Sequence, residues 1–205
     1  MVKLLIDVLY IPTKFNNDIL HNVDTYEHRG SLAITGLLRP IYRRGGIALQ
    51  GRTSILIREA VSADLLILQE FEQGIIAAER PFNSSLKSET ICYYDIAALI
   101  DGGGSVVMVA EEQGQLLGSG YGRIKASKAH LNHETHAYLG FMFVAPAHRG
   151  QGINQMIIQA LIAWGKEQGM SDFYLDAYAD NTSAIRAYEK MGFRQSLVEM
   201  KLSIK

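Results

Sequence analysis

Residues 144–155 read VAPAHRGQGINQ. A proline and a basic pair precede two glycines one residue apart, and an amphipathic run follows at once. From Ile153 the apolar residues Ile153, Met156, Ile157, Ala160, Leu161 and Trp164 recur at i, i+3, i+4, i+7, i+8 and i+11. That spacing predicts a helix over 152–168 with one apolar face, stopped by Gly169. A helix N-terminus leaves backbone N–H groups without partners and carries about half a positive charge. Gly150 and Gly152 leave room for an anion to approach the main chain, and Arg149 adds a cation. The turn reads as a seat for a phosphate or pyrophosphate; the plainer reading is a strand-to-helix turn.

Outward from that turn the pattern organises the rest of the chain. Downstream lie a strand over 171–179, a helix over 181–191 stopped by Gly192, and a last strand over 196–204. Immediately upstream, 136–145 is a strand. Before it, 105–112 and 115–125 are strands joined by the hairpin signal Gln113-Gly114. The segment GSGYG at 118–122 lies inside the second of these, which points to backbone clearance or a bulge. Earlier still come a strand over 54–60 and a helix opened by Ser62, with Asp64 in its first turn and Pro81 at its end. A short helix over 93–100 ends at the glycines after Asp101. From residue 54 the order is β-α-α-β-β-β-α-β-α-β. The expected fold is α/β (α+β), with a mixed, largely antiparallel central sheet flanked by helices. Other phosphate loops fit worse: GxxxxGK[ST] is absent, and GxGxxG would need glycine at Gln155.

The chain has 205 residues, 48% hydrophobic and 20% charged, with a net charge of −1. That suits one globular domain with an appendage, and nothing draws the whole chain to nucleic acid or an anionic membrane. No apolar run reaches the roughly 18 residues of a membrane span. The start, MVKLLIDVLYIP, is broken by Asp7 and reads as a strand, not a signal peptide. Cys92 is the only cysteine, which suits a reducing cytoplasm; it is expected as a half-buried small hydrophobe. Residues 1–52 form an extension with weak strands at 2–11 and 32–38, and 43–54 is linker-like; the domain proper is 53–205. The extension reads as a hairpin on the sheet, an arm for a homodimer, or an upstream extension of the reading frame.

A second motif lies at 181–193, NTSAIRAYEKMGF. Asn181, Ala184, Tyr188, Gly192 and Phe193 stand in the pattern NxxAxxxYxxxGF. Together with VAPAHRGQGI, and in this order of elements, residues 54–205 resemble the GNAT superfamily of acyl-CoA-dependent N-acyltransferases. The resemblance implies that strands 136–145 and 171–179 splay apart. Acetyl-CoA, the acyl donor, would lay its pantetheine arm in the gap along Met142, Phe143 and Val144, as an added strand. Its pyrophosphate would rest on Arg149, Gly150, Gln151, Gly152, Ile153 and Asn154. Asn181 would bond the arm or nearby backbone, and Tyr188 would lie near the thioester sulfur as general acid. The chain departs from the family's loop pattern at Asn154, where glycine or alanine is usual, and this implies adjusted phosphate binding.

The acceptor implied is a primary amine, which must be neutral to attack. A lysine amine is neutral about once in 2,500 at pH 7, an α-amine roughly one time in six to eleven. Asp176 is the candidate base, with Glu134 or water as alternatives. On a strand Asp176 would share a face with Tyr174 and Tyr178, in surroundings that raise a carboxylate pKa. The acceptor wall is expected from 80–94, with Phe82, Tyr93, Tyr94, Tyr121, Tyr138 and Phe141 as aromatic surface. His130, His133 and His136 recur every three residues in a polar loop; they read as surface histidines, and no metal is expected. A different class of reading is a non-catalytic acyl-CoA-binding sensor or interaction module on the same fold.

Overall fold

The computed structural model describes residues 41–43, 46–48 and 55–204, which belong to one compact unit. The strands expected at 2–11 and 32–38 lie outside the described residues. Seven strands form one sheet in sequence order: β1 (Ile41–Arg43), β2 (Gly46–Ala48), β3 (Leu56–Glu59), β4 (Ser105–Glu112), β5 (Gln115–Ala126), β6 (Thr135–Val144) and β7 (Phe173–Tyr174). Every neighbouring pair is antiparallel except β6–β7, which is parallel. The segment read as linker-like, 43–54, therefore contributes β2 and the last residue of β1, and β2 pairs with β3 at Ile47↔Ile57 and Ala48↔Leu56.

Helices cover both faces. α1 (Leu65–Glu79) and α2 (Ile96–Asp101) pack on one side. Their cluster joins Leu68, Phe71, Ile75, Ile96 and Leu99 to Val107, Val109, Tyr121 and Phe141 of the sheet. α3 (Ile153–Glu167) covers the other face, where Ile153, Ile157, Ile158 and Leu161 are fully buried on Ile57, Met108, Leu117 and Leu139. Each such side chain contributes roughly 1.5–3 kcal/mol. The predicted apolar face of α3 is the one buried, widened by Ile158 and Gly165. α4 (Thr182–Glu189) follows β7.

Several boundaries move for local reasons. The first helix opens as a 3-10 turn over Ser62–Asp64 with Val61 as its cap, and the Asp64 carboxylate reaches back to the Val61 N–H at 2.8 Å. Arg58 holds that carboxylate with two hydrogen bonds, 2.7 and 3.0 Å, and a third to Glu111 at 2.6 Å. Tyr93 and Tyr94 are not helical: both backbone N–H groups donate to the buried Glu72 carboxylate, at 2.6 and 2.8 Å, and α2 starts after its cap Asp95. Cys92, expected half-buried, is exposed.

The larger departures lie at the end of the chain. β7 is two residues long against nine expected, and 196–204 is not a strand. Its apolar residues Leu197, Val198, Met200, Leu202 and Ile204 are exposed. β7, the last strand of the sheet, itself ends at Tyr174. No helix among the described residues is long and apolar enough to cross a membrane.

Candidate active site

The parallel pairing of β6 with β7 covers only Ala137↔Phe173 and Tyr138↔Tyr174, with one further bond from Ala137 N to Asp172 O at 2.9 Å. Beyond Tyr138 the two chains part. From Leu139 to Val144, β6 is paired with β5 on one side and with no strand among the described residues on the other. That open edge holds Met142, Phe143 and Val144. It is kinked by a bulge: the β5–β6 register shifts between Ser119 and Tyr121, and Phe141 sits at φ 57°. An extra residue on β6 bends the strand and turns its edge groups outward. The glycines at 118–122 give the clearance expected of them. A Cβ on Gly120 would meet Ile157 Cγ2 at 2.8 Å, and one on Gly122 would meet Trp164 at 2.9 Å.

β6 runs straight into the turn that opens α3. Gly150 and Gly152 have φ of 77° and 81°, the left-handed region that a side chain disfavours. Nothing lies within 4 Å of where a Cβ would stand at either, so the main chain there is open. Gly152 is the N-cap of α3 and no side chain caps this end, which leaves the first-turn N–H groups of Ile153, Asn154 and Gln155 without intrahelical acceptors. Arg149 ties the turn to the strand end, its Nε donating to Val144 O at 3.1 Å. Asn154 lies inside α3 with ordinary helical geometry, so the unusual backbone falls on the glycines and not on it. The donor set of this turn and the bare edge beside it suit a pyrophosphate with an amide-bearing arm.

Across the gap, Asn181 caps α4, its Oδ1 accepting from Ala184 N at 3.2 Å. That oxygen is used on the backbone of its own helix. Tyr188 packs against Phe193 and the α3-side core. Burial first, and then the charge of Glu79, push its phenol up to about 12. It is therefore a protonated donor at neutral pH.

Glu79, on the last turn of α1, was not singled out from sequence. Its burial raises its pKa, and its charge acts on the hydroxyls of Tyr188, Tyr93 and Tyr94. The signal was present: Glu72, Ile75, Ile76 and Glu79 share the inward face of α1 by spacing. The Tyr93 hydroxyl is buried and forms no hydrogen bond of proper geometry, although Glu79 is near enough to perturb it. Tyr93 and Glu79 are neighbours without a made hydrogen bond.

Asp176 lies past the end of β7, so strand alternation does not place it between Tyr174 and Tyr178. Instead it is exposed and accepts from Tyr138 OH at 2.6 Å. Burial and then this bond hold the Tyr138 phenol well above its usual range. Tyr174 turns to His133 (3.2 Å), and Tyr178 accepts from Asn83 Nδ2 (3.0 Å) while stacking on Phe82 at 6.2 Å. The loop after α1 thus touches the segment after β7 at Tyr178. Tyr94 bridges to Tyr121 and Phe141 with centroids 5.4 and 5.3 Å away, and Tyr121 to Tyr138 at 6.4 Å. Phe141 and Tyr121 are buried packing residues; Tyr93, Tyr94 and Tyr138 are half-buried. His136 bonds Ser127 Oγ at 2.8 Å, and Glu134 is exposed just before β6.

The profile of the acetyltransferase (GNAT) family matches residues 71–193. A probable N-acetyltransferase family 8 member 5 of Mus musculus is 36% identical over 61 residues, 30% of this chain and 27% of that protein. The chain's matches span between 25% and 40% of the length of the first curated relatives. The crystallised BH1408 protein of Bacillus halodurans superposes with a TM-score of 0.65 at 21% identity, over 73% of this chain and 99% of that one. A protein of Clostridium acetobutylicum described as a predicted acetyltransferase, crystallised with acetyl-CoA, gives a TM-score of 0.57 at 18% identity, over 73% and 96%. With more than half of its length matched to the family and the splayed sheet in place, the chain belongs to the GNAT acetyltransferase family.

Proposed function

We propose that the protein is an N-acetyltransferase that moves an acetyl group from acetyl-CoA to a primary amine by direct attack within a ternary complex. The observation that carries this reading is the open, uncapped turn at Gly150 and Gly152, set beside the unpaired β6 edge from Leu139 to Val144. In this reading the turn 149–154 binds the pyrophosphate, and Met142, Phe143 and Val144 bond the pantetheine amides as a neighbouring strand would. In the same reading Asn181, whose Oδ1 caps α4, bonds the arm through its side-chain amide N–H. Domain 53–205 carries the activity with 1–52 as an extension, and the cytoplasm is the proposed site of action.

Acetyl-CoA supplies an activated acyl carbon and a thiolate leaving group. The chain's residues manage the protons. Asp176, with one oxygen held by Tyr138, takes a proton from the acceptor ammonium and releases it to solvent. The neutral amine forms the C–N bond as the C–S bond breaks. Tyr188 donates its proton to the departing sulfur and is reprotonated as the nitrogen loses its second proton. The first test is release of free thiol from acetyl-CoA across an amine panel, wild type against Tyr188→Phe. Thiol release that needs both an amine and Tyr188 supports the reading. CoA binding without turnover on any amine would favour an acyl-CoA-binding module on this fold.

A further inference from the structure

On the acceptor side of the sheet the charges are arranged in a particular way. Tyr121 is buried under α1 and α2, while Ile124 packs on the opposite face against the α3 core. Side chains alternate along a strand, so Arg123 and Lys125 project with Tyr121. Both are exposed. Their cross-strand partners on β6 are Tyr138 for Arg123 and His136 for Lys125. The Lys125 ammonium lies 3.4 Å from the Tyr138 ring centroid, and the Tyr138 hydroxyl donates to Asp176 at 2.6 Å. One phenol thus carries a cation on its face and an anion at its tip.

The Lys125 ammonium and the Asp176 carboxylate share this ring without forming an ion pair with each other. Neither Arg123, Lys125 nor Asp176 has an ion-pair partner within 4.0 Å among the described residues. Two like charges stand side by side on β5, facing a carboxylate with one oxygen still open. Such an arrangement attracts a ligand carrying both signs. A carboxylate beside Lys125 and Arg123 gains charge-assisted hydrogen bonds and relieves their repulsion; an ammonium beside Asp176 gains another. The Tyr138 ring between them also lies against Tyr121, and Tyr178, two residues beyond Asp176, stacks on Phe82.

From this juxtaposition, and resting on the acetyl-transfer reading, we infer that the acceptor is an α-amino acid with an apolar or aromatic side chain. Its amine is delivered to Asp176, and its carboxylate is held by Lys125 and Arg123. The two cations are specificity-determining residues, not catalytic ones. An acceptor without the carboxylate leaves them unpaired, and a polyamine meets them as like charges.

The test uses the full chain with acetyl-CoA and matched acceptors: L-phenylalanine, L-phenylalaninamide and phenethylamine. Expected is a kcat/KM at least about tenfold higher for phenylalanine than for either compound lacking the carboxylate, the scale of one charge-assisted contact. In the Arg123→Gln/Lys125→Gln double variant the preference should collapse, with the KM for acetyl-CoA unchanged. Lys125→Glu should reverse it. Equal use of the acid and its amide by wild type, or a preference that survives in the double variant, overturns the inference. Calorimetry of the same compounds on the CoA-loaded protein separates this from the parent reading. Carboxylate-dependent binding without turnover keeps the zwitterion site and removes the transferase assignment. Turnover of the amines without carboxylate preference does the opposite, and equal binding of acid and amide overturns the site.

Discussion

The most informative perturbation of the turn is a pair of matched substitutions, Gly152→Ala and Gly169→Ala. Both glycines have φ of 81°, and both have nothing within 4 Å of an added Cβ. They stand at opposite ends of α3, one as its N-cap and the other just past its C-terminus. A methyl group therefore meets no clash at either site, and the cost is backbone strain alone, about 1–2 kcal/mol. For a chain of this size that is a fall of roughly 2–8 °C in Tm. The two variants should lose the same stability by thermal unfolding. They should differ in CoA binding, measured by calorimetry. At 152 the methyl occupies the space through which a phosphate would approach the N–H groups of 153–155, and Kd should rise at least about tenfold, which is 1.4 kcal/mol. At 169 it should not change. An unchanged Kd in Gly152→Ala, or an equal rise in both variants, would refute the assignment of the turn.

Other consequences can be checked with the same preparations. Tyr188→Phe removes one oxygen from a half-buried side chain, so kcat should fall about a hundredfold, the lower range for a lost general acid, with Tm nearly unchanged. With the Tyr188 phenol pushed up to about 12, a pH–rate profile should rise as the acceptor deprotonates and show no descending limb from this group below about pH 11. A descending limb near pH 9 that vanishes in Tyr188→Phe would contradict that assignment. Asp64→Asn should cost about 3 kcal/mol at pH 7, because it leaves Arg58 poorly paired beneath the first helix. Arg58 lowers the Asp64 pKa, so the stabilisation is complete above the unfolded value near 3.9 and is lost as pH falls through the folded one. The gap between wild type and variant, followed by denaturant unfolding, should narrow below about pH 4.

Much of the fold was legible because single residues carried it. The i, i+3, i+4 spacing fixed the buried face of α3, and Gln113-Gly114 adopts φ of 52° and 82°, the hairpin turn that the dipeptide signals. Other features had no local cause. The bulge at Phe141 puts a bulky aromatic at positive φ, which nothing in its neighbours announces; it follows from strand register and from Gly120 opposite. Residues 175–179 and 196–204 have strand-forming side chains, yet strands need edges, and pairing ends at Tyr174. Tyr93 and Tyr94 carry a helical pattern, but their N–H groups are taken by Glu72, far away in sequence. At the site, the glycine turn and Tyr188 were readable from motif. The bond from Tyr138 to Asp176, the place of Lys125 on that ring and the charge of Glu79 beside Tyr188 are tertiary facts.

Amide hydrogen exchange with and without CoA reaches the central claim most directly, since it reports each stretch of main chain separately. If the cofactor lies as an added strand along β6 with its pyrophosphate on the turn, saturation with CoA should slow exchange in two places, 141–144 and 150–155, and spare the β4–β5 hairpin. Tight CoA binding with protection elsewhere, or with these two stretches unchanged, would contradict the account.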